Sequence, residues 1–269
     1  MSFYGCSFIY DGIPSEEYGL MIYDFGSVSQ DDGSVGTELT ILEDRVQRRS
    51  TPIHYGIANN APLQFSLVFG ALEPLDRFDV AAIAGWLCGH AQYKPFTVVQ
   101  PDMALYHYKA IVTKLDIIPW SGSPVAFKAA LVCDSPFAYM RLDDWSHEGE
   151  ETGLSAVFDN RSNVNDFYCP ERFEITYNFI SLDQNGGLEI SNAATGETLA
   201  FRNLPEPDGL NTISIDSRRQ IVSSSDGTDL YQNFNFVFPR FRRGQNALIS
   251  NNTHISITIS RDFPMNIGF

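Results

Sequence analysis

The chain has 269 residues, enough for two domains of ordinary size or one large all-β domain. Hydrophobic residues make up 43% of it and charged residues only 19%, which excludes a disordered chain and leaves material for real cores. With 18 basic against 33 acidic residues the formal net charge is −15; this excludes a protein built to grip nucleic acid or an anionic membrane surface, where Lys and Arg must neutralise phosphates.

In chain order, the start Met1-Ser2-Phe3-Tyr4 lacks the basic and apolar segments of a signal peptide. Nowhere does an apolar run approach the ~18–20 residues of a membrane span, so no membrane insertion is expected. Segments 3–10 and 18–23 alternate as strands. The loop 24–33 resembles an acidic calcium loop, but its spacing misses the hand pattern and it lacks the closing Glu, so it reads as a solvated hairpin tip. Arg45, Arg48 and Arg49 then stand out in an acidic chain. They fit either a solvated face or bidentate partners for carboxylates of a neighbouring subunit, where Arg outperforms Lys. Leu63, Phe65, Leu67 and Phe69 lie on one face of a further strand.

Residues 75–89 carry Leu75, Phe78, Ala82, Ile83, Trp86 and Leu87 at helical spacing, which predicts one amphipathic helix lying on a sheet. Asp76 is placed to cap it, and Gly89 suits a left-handed stop. Cys88, inside this helix, reads as a packed and inert thiol. Strands follow at 105–116 and 126–133. The stretch 141–152, rich in Asp and Glu, reads as an acidic linker between domains 1–140 and 153–269. Beyond it, strands are expected at 171–177, 187–191, 198–201, 211–216, 233–238 and 254–260. Asn185-Gly186 marks a hairpin turn, and Pro205 and Pro207 mark a break. Arg240, Arg242 and Arg243 read as charges that block edge pairing. Trp145, Tyr168 and Tyr231 read as packing aromatics rather than platforms for sugar rings.

Chemistry is scarce. Five histidines are scattered, with no pair spaced for zinc on a helix. Nucleophile-elbow, phosphate-loop and dinucleotide signatures are absent from the sequence. Cys6, Cys88, Cys133 and Cys169 include no close pair, so buried reduced thiols are the default. The expectation is a protein with no catalytic, cofactor-binding or metal-binding residues, hence not an enzyme.

Several blocks, taken in order, are similar to the distal tail protein (Dit) family of long-tailed, non-contractile phages. They are Phe8-Ile9-Tyr10-Asp11-Gly12 with Tyr18-Gly19-Leu20, Arg48-Arg49 with Tyr55-Gly56, and the strand from Pro62 to Gly70. Next come Ile83-Ala84-Gly85-Trp86-Leu87 with Tyr93-Lys94-Pro95-Phe96, then Cys133-Asp134-Ser135-Pro136-Phe137-Ala138. The second half adds Asn192-Ala193-Ala194-Thr195-Gly196-Glu197-Thr198-Leu199, Ile213-Ser214-Ile215-Asp216 and Phe241-Arg242-Arg243-Gly244-Gln245-Asn246.

The resemblance implies a mainly β chain: an N-terminal β-sandwich with one packed helix that forms a ring, then a galectin-like C-terminal β-sandwich. It implies a structural protein of the virion tail tip, a homo-hexamer without cofactors. Its partners would be the tail tube protein, the tail-associated hub protein and receptor-binding proteins. DNA would pass through the ring without specific binding, past channel-facing acids for which Asp31, Asp32 and Glu38 are the candidates. Arg45, Arg48 and Arg49 are the candidate ring interface. A carbohydrate-binding β-sandwich that contacts host glycans is the alternative.

Overall fold

The computed structural model describes residues 5–27, 39–47, 49–59, 62–120, 123–164, 166–206 and 209–267. The chain divides into two units, one comprising 1–139 with 265–269, the other 140–264.

Unit 1 contains β1 (Phe8–Tyr10), β2 (Ile13–Pro14), β3 (Leu20–Ser27), β4 (Leu39–Asp44), β5 (Ile53–Asn59) and β6 (Gln64–Ala71). Helix α1 (Arg77–Cys88) follows, then β7 (Lys94–Val98), β8 (Tyr106–Trp120) and β9 (Ser123–Cys133). Seven strands pair antiparallel in the order β2-β1-β7-β8-β9-β6-β3. The Ile22 N–H donates to the Cys6 carbonyl (2.8 Å), bringing the last strand back beside the entry to the first. The curl encloses Phe8, Tyr10, Phe65, Phe69, Phe96, Tyr108 and Phe127, all essentially inaccessible. Tyr18 stacks on Trp86 at 4.8 Å and Phe8 does so at 5.7 Å, seating the helix on this core.

The helix forms where its spacing predicts. Asp76 accepts from the backbone of Phe78 and Asp79, while the Asp79 carboxylate accepts from the Asp76 N–H, so both ends of a capping box are made. Three details differ from the sequence reading. Phe78 is 70% exposed and Ala82 is exposed, because only Ile83, Trp86 and Leu87, with Val80 and Leu75 partly covered, face the sheet. Gly89 has φ −76°, not left-handed, and is needed for room: a Cβ there would sit 2.4 Å from the Gly85 carbonyl oxygen. Cys88 is exposed rather than packed, as is Cys6.

Unit 2 contains β10 (Ala138–Glu148), β11 (Leu154–Asn160), β12 (Phe173–Tyr177), β13 (Leu188–Asn192) and β14 (Glu197–Phe201). It is completed by β15 (Asn211–Asp216), β16 (Ile221–Ser224), β17 (Gly244–Ser250) and β18 (Ser256–Met265). One sheet runs β10-β18-β12-β15-β16 and the other β11-β17-β13-β14. Strict alternation of burial along β11, β12 and β15 gives each an inner apolar face. Phe158, Tyr168, Phe173, Phe241 and Phe263 form the aromatic core, with Phe158 and Phe241 rings 4.6 Å apart.

The acidic stretch 141–152 is mostly strand β10 rather than a linker. Its acids occupy exposed positions while Leu142, Trp145 and His147 are half-buried. The Arg172 guanidinium pairs with Asp144, and Arg261 donates to the Asp143 backbone carbonyl, which brings two positive charges alongside the acids of the strand. Residues 265–269, expected in the second domain, belong to unit 1, where Ile267 packs on the core. Residues 233–238 are not a strand. They make one isolated antiparallel bridge, Phe234 opposite Phe201 at the end of β14, and Asn235 adds its carboxamide to that edge: Nδ2 donates to the Thr198 carbonyl (2.8 Å) and Oδ1 accepts from the Ala200 N–H (3.1 Å). Asn185-Gly186 turns with φ +67° at Gly186, but it leads into β13 from a single 3-10 turn rather than joining paired strands.

Candidate assembly surface

Among the described residues, strands β4 and β5 form a two-stranded antiparallel ribbon that belongs to no larger sheet. Its register runs from Leu39 opposite Asn59 to Asp44 opposite Ile53 and slips once, where Leu42 pairs with Gly56 but Glu43 pairs with His54. Tyr55 is therefore the extra residue of a bulge. Gly56, at φ +143°, takes a conformation that only glycine tolerates well. Residues 40–47 are exposed throughout, so neither face of β4 is covered. Ile41 is 59% exposed, Leu42 46%, Val46 50% and Tyr55 65%. An isolated two-stranded ribbon is marginally stable in water, and this one carries apolar residues on bare faces.

Two of the three arginines picked out by charge fall at this ribbon. Arg45 and Arg49 lie in the connection between β4 and β5, both exposed. Arg45 Nε is 3.6 Å from Glu43 Oε1, a loose pair on an 85% exposed side chain that contributes little to stability. The Arg49 N–H donates to the Val46 carbonyl (3.1 Å), closing the turn. Arg48 lies outside the described residues, as do Asp31, Asp32 and Glu38. The sequence reading missed the ribbon itself. Its available signal was apolar alternation at Ile53, Tyr55 and Ile57, interrupted by a glycine.

Elsewhere the candidate residues serve packing. Tyr168 is buried, its hydroxyl donating to the Ser260 carbonyl (2.6 Å) and accepting from the Asp262 N–H (3.2 Å); burial pushes its pKa up to about 12. Trp145 packs edge-on against Phe158 at 5.7 Å. Tyr231 is more open, its hydroxyl accepting from the Val222 N–H (3.3 Å). Arg240 forms a fork with Glu197 of edge strand β14, Nε donating to Oε2 at 2.8 Å, and lies over the Phe167 ring at 4.7 Å. Glu197 raises the Arg240 pKa by that hydrogen bonding. Arg242 and Arg243 lie ahead of β17, outside any strand. His107 is buried in β8 and stacks on Tyr139. Among the described residues, no group of three or more His, Cys, Asp or Glu is placed to hold a metal ion.

Two family profiles match the chain in sequence order. Residues 3–135 match a phage tail protein N-terminal domain, and residues 137–261 match a phage tail C-terminal domain. No curated protein sequence matches. Among solved structures, the fold is similar to the crystal structure of SPP1 Dit (gp 19.1), described as a paradigm of the hub adsorption apparatus in phages that infect Gram-positive bacteria. The TM-score is 0.65 at 11% identity, with 96% of this chain and 98% of that one covered, so the likeness is one of fold. With both domain profiles spanning nearly its whole length and the mainly β, one-helix architecture in agreement, the chain belongs to the phage tail protein family and has the Dit-like fold.

Proposed function

We propose that this protein is a non-catalytic structural hub at the tip of a phage tail. It assembles as a closed homo-hexameric ring that joins the tail tube to the tail-associated and receptor-binding components. A closed ring of identical subunits needs two different patches on each chain. The β4–β5 ribbon supports one of them, since it has apolar side chains on uncovered faces and arginines at its connection. Laid against a neighbour, Ile41, Leu42, Val46 and Tyr55 leave water. Arg45, Arg48 and Arg49 then meet carboxylates in a chain where acids outnumber bases.

Net charge supports the conduit. A passage lined by Lys and Arg would collect phosphate contacts and hold a moving genome. At physiological salt the Debye length is about 8 Å, so acids at a wall act only on DNA close to it. Asp31, Asp32 and Glu38 are the acids this reading assigns to the channel. The two packed sheets of unit 2 are compatible with the galectin-like C-terminal domain the resemblance implies.

The test is the mass of the purified protein by light scattering, with negative-stain imaging. The expected result is a ring of six times the 30.1 kDa chain. The double substitution Arg48→Glu, Arg49→Glu should shift mass toward the monomer while the β-sheet circular dichroism is retained. Strictly monomeric protein at high concentration, also when mixed with tail tube and tip components, overturns the hub reading. An unchanged ring in the double variant removes these arginines from the interface.

A further inference from the structure

A head-to-tail contact needs a surface that receives the β4–β5 ribbon as well as the ribbon itself. Among the described residues of unit 1, the four most exposed large apolar side chains are Leu72 (82%), Phe78 (70%), Tyr55 and Ile41. Tyr55 and Ile41 belong to the ribbon, whereas Leu72 and Phe78 lie in one short segment, from the end of β6 into the first turn of α1. Residues 72–74 and 76–79 are exposed, while Leu75 between them packs on the core and its N–H donates to the Pro124 carbonyl (3.0 Å). The capping box of Asp76 and Asp79 fixes the helical end of the segment. Tyr23 of edge strand β3, also exposed, donates its hydroxyl to the Ala71 carbonyl (3.3 Å) and extends the surface beside Leu72. The head of α1 is therefore an apolar knob on a fixed backbone, which lowers the ordering cost of covering it.

Charge selects the occupant. Glu73, Asp76 and Asp79 flank Leu72 and Phe78 against a single base, Arg77, whose guanidinium lies over the Phe78 ring (5.3 Å). Glu73 has no hydrogen-bond or ion-pair partner among the described residues, and the capping bonds occupy one oxygen of each aspartate. Apolar surface rimmed by carboxylates is complementary to apolar surface that carries cations. The lysines of unit 1 are committed elsewhere: Lys94 to Asp11 (3.0 Å), Lys114 to Asp116 (2.6 Å), and Lys109 over the Tyr139 ring (4.5 Å), while Lys128 lies opposite Asp116 in register. Arg45, loosely paired, and Arg49 stand beside exposed apolar residues, and both are at the ribbon. Glu43 and Asp44 of β4 offer Arg77 its own counterparts. We propose that the head of α1 is the docking surface for the β4–β5 ribbon of a second copy of this chain. Ile41 and Tyr55 then cover Leu72 and Phe78, and the ribbon arginines meet Glu73 and the two aspartates. The proposal rests on the ring reading and adds the receiving side of its contact. Because ribbon and helix head are different surfaces, each bound copy presents the next free one until the ring closes.

The experiment follows particle mass by light scattering through a dilution series of the full-length protein and its variants. Leu72→Asp with Phe78→Asp alters only exposed positions, so the melting temperature of the monomer should be unchanged. The concentration at which the ring comes apart should rise about tenfold or more. Glu73→Arg should weaken the ring, and so should Arg45→Glu with Arg49→Glu. Combined in one chain, those three changes set opposite charges across the contact again and should recover most of the lost assembly. The proposal is overturned if the Leu72→Asp, Phe78→Asp ring dilutes like the parent's. It is also overturned if the combined chain assembles no better than the Arg45→Glu, Arg49→Glu chain; this charge-reversal arm decides the matter even if the apolar variant melts early. The two readings fail separately. A parent ring that persists through these variants counts against the docking surface alone, whereas a parent that is strictly monomeric overturns the hub and the docking surface together.

Discussion

The indole N–H of Trp86 donates to the backbone carbonyl of Tyr10 across 3.1 Å, joining the only α-helix among the described residues to the strand that opens the fold. The bond spans 76 residues of sequence and lies within the aromatic stack of Phe8, Tyr18 and Trp86. Trp86→Phe keeps an aromatic ring but removes the donor, and should cost about 1–2 kcal/mol. Trp86→Ala adds a cavity and should cost about 3–5 kcal/mol. Denaturant unfolding checks both, and a Trp86→Phe variant as stable as the parent would mean that the hydrogen bond contributes nothing.

Asn235 lies beside β14 in place of a further strand. Its carboxamide occupies the Thr198 carbonyl and the Ala200 N–H, groups that would otherwise form an open sheet edge. Asn235→Leu should cost only about 1 kcal/mol, since the position is exposed, but should raise aggregation on heating. Turbidity against temperature at several protein concentrations measures it. A curve indistinguishable from the parent removes Asn235 from that protective role.

Tyr168 ties stability to alkaline pH. Burial raises its folded-state pKa to about 12 from the ordinary value of 10.0, so the folded state holds the phenolic proton more tightly than the unfolded chain. Its contribution is complete below about pH 10 and is lost as the pH rises toward 12. Tyr168→Phe should therefore be less stable at neutral pH by about 1 kcal/mol, having lost its bond to Ser260, yet decline less between pH 10 and 12. Unfolding midpoints across that interval decide it; parallel pH curves for the two proteins contradict the assignment.

Asn252 should be among the costliest single polar truncations in unit 2. Asn252→Ala leaves the Ser181 and Gly187 carbonyls and the Glu189 N–H without their side-chain partner. The expected loss is about 2–3 kcal/mol, with faster amide exchange at Glu189. Asn252→Asp keeps the acceptor and loses both donors, so Glu189 exchange should remain slower in it than in Asn252→Ala.

Much of this molecule is legible residue by residue. Alternation at Phe65, Leu67 and Phe69 and again at Ile257 and Ile259 fixes strands whose inner faces are buried, because period-two patterning and a one-sided core are the same physical fact. The capping box at Asp76 and the apolar spacing around Trp86 fix the helix for equally local reasons. The order of family-like blocks and the prominence of Arg45 and Arg49 were also readable from sequence alone.

Other features depended on groups far apart in the chain. An acidic run reads as a linker until Arg172 and Arg261 come alongside it from 28 and 118 residues away. Phe78 and Cys88 read as core until the width of the helix contact is known, and only one narrow stripe reaches the sheet. The β4–β5 ribbon carries apolar residues on uncovered faces, so its alternation marks no inside, and Asn252 ties down carbonyls that lie 65 and 71 residues away in the chain. Local sequence therefore determined which stretches became strand or helix. The tertiary structure decided which surfaces were left open to partners, because exposure is set by what the rest of the chain fails to cover.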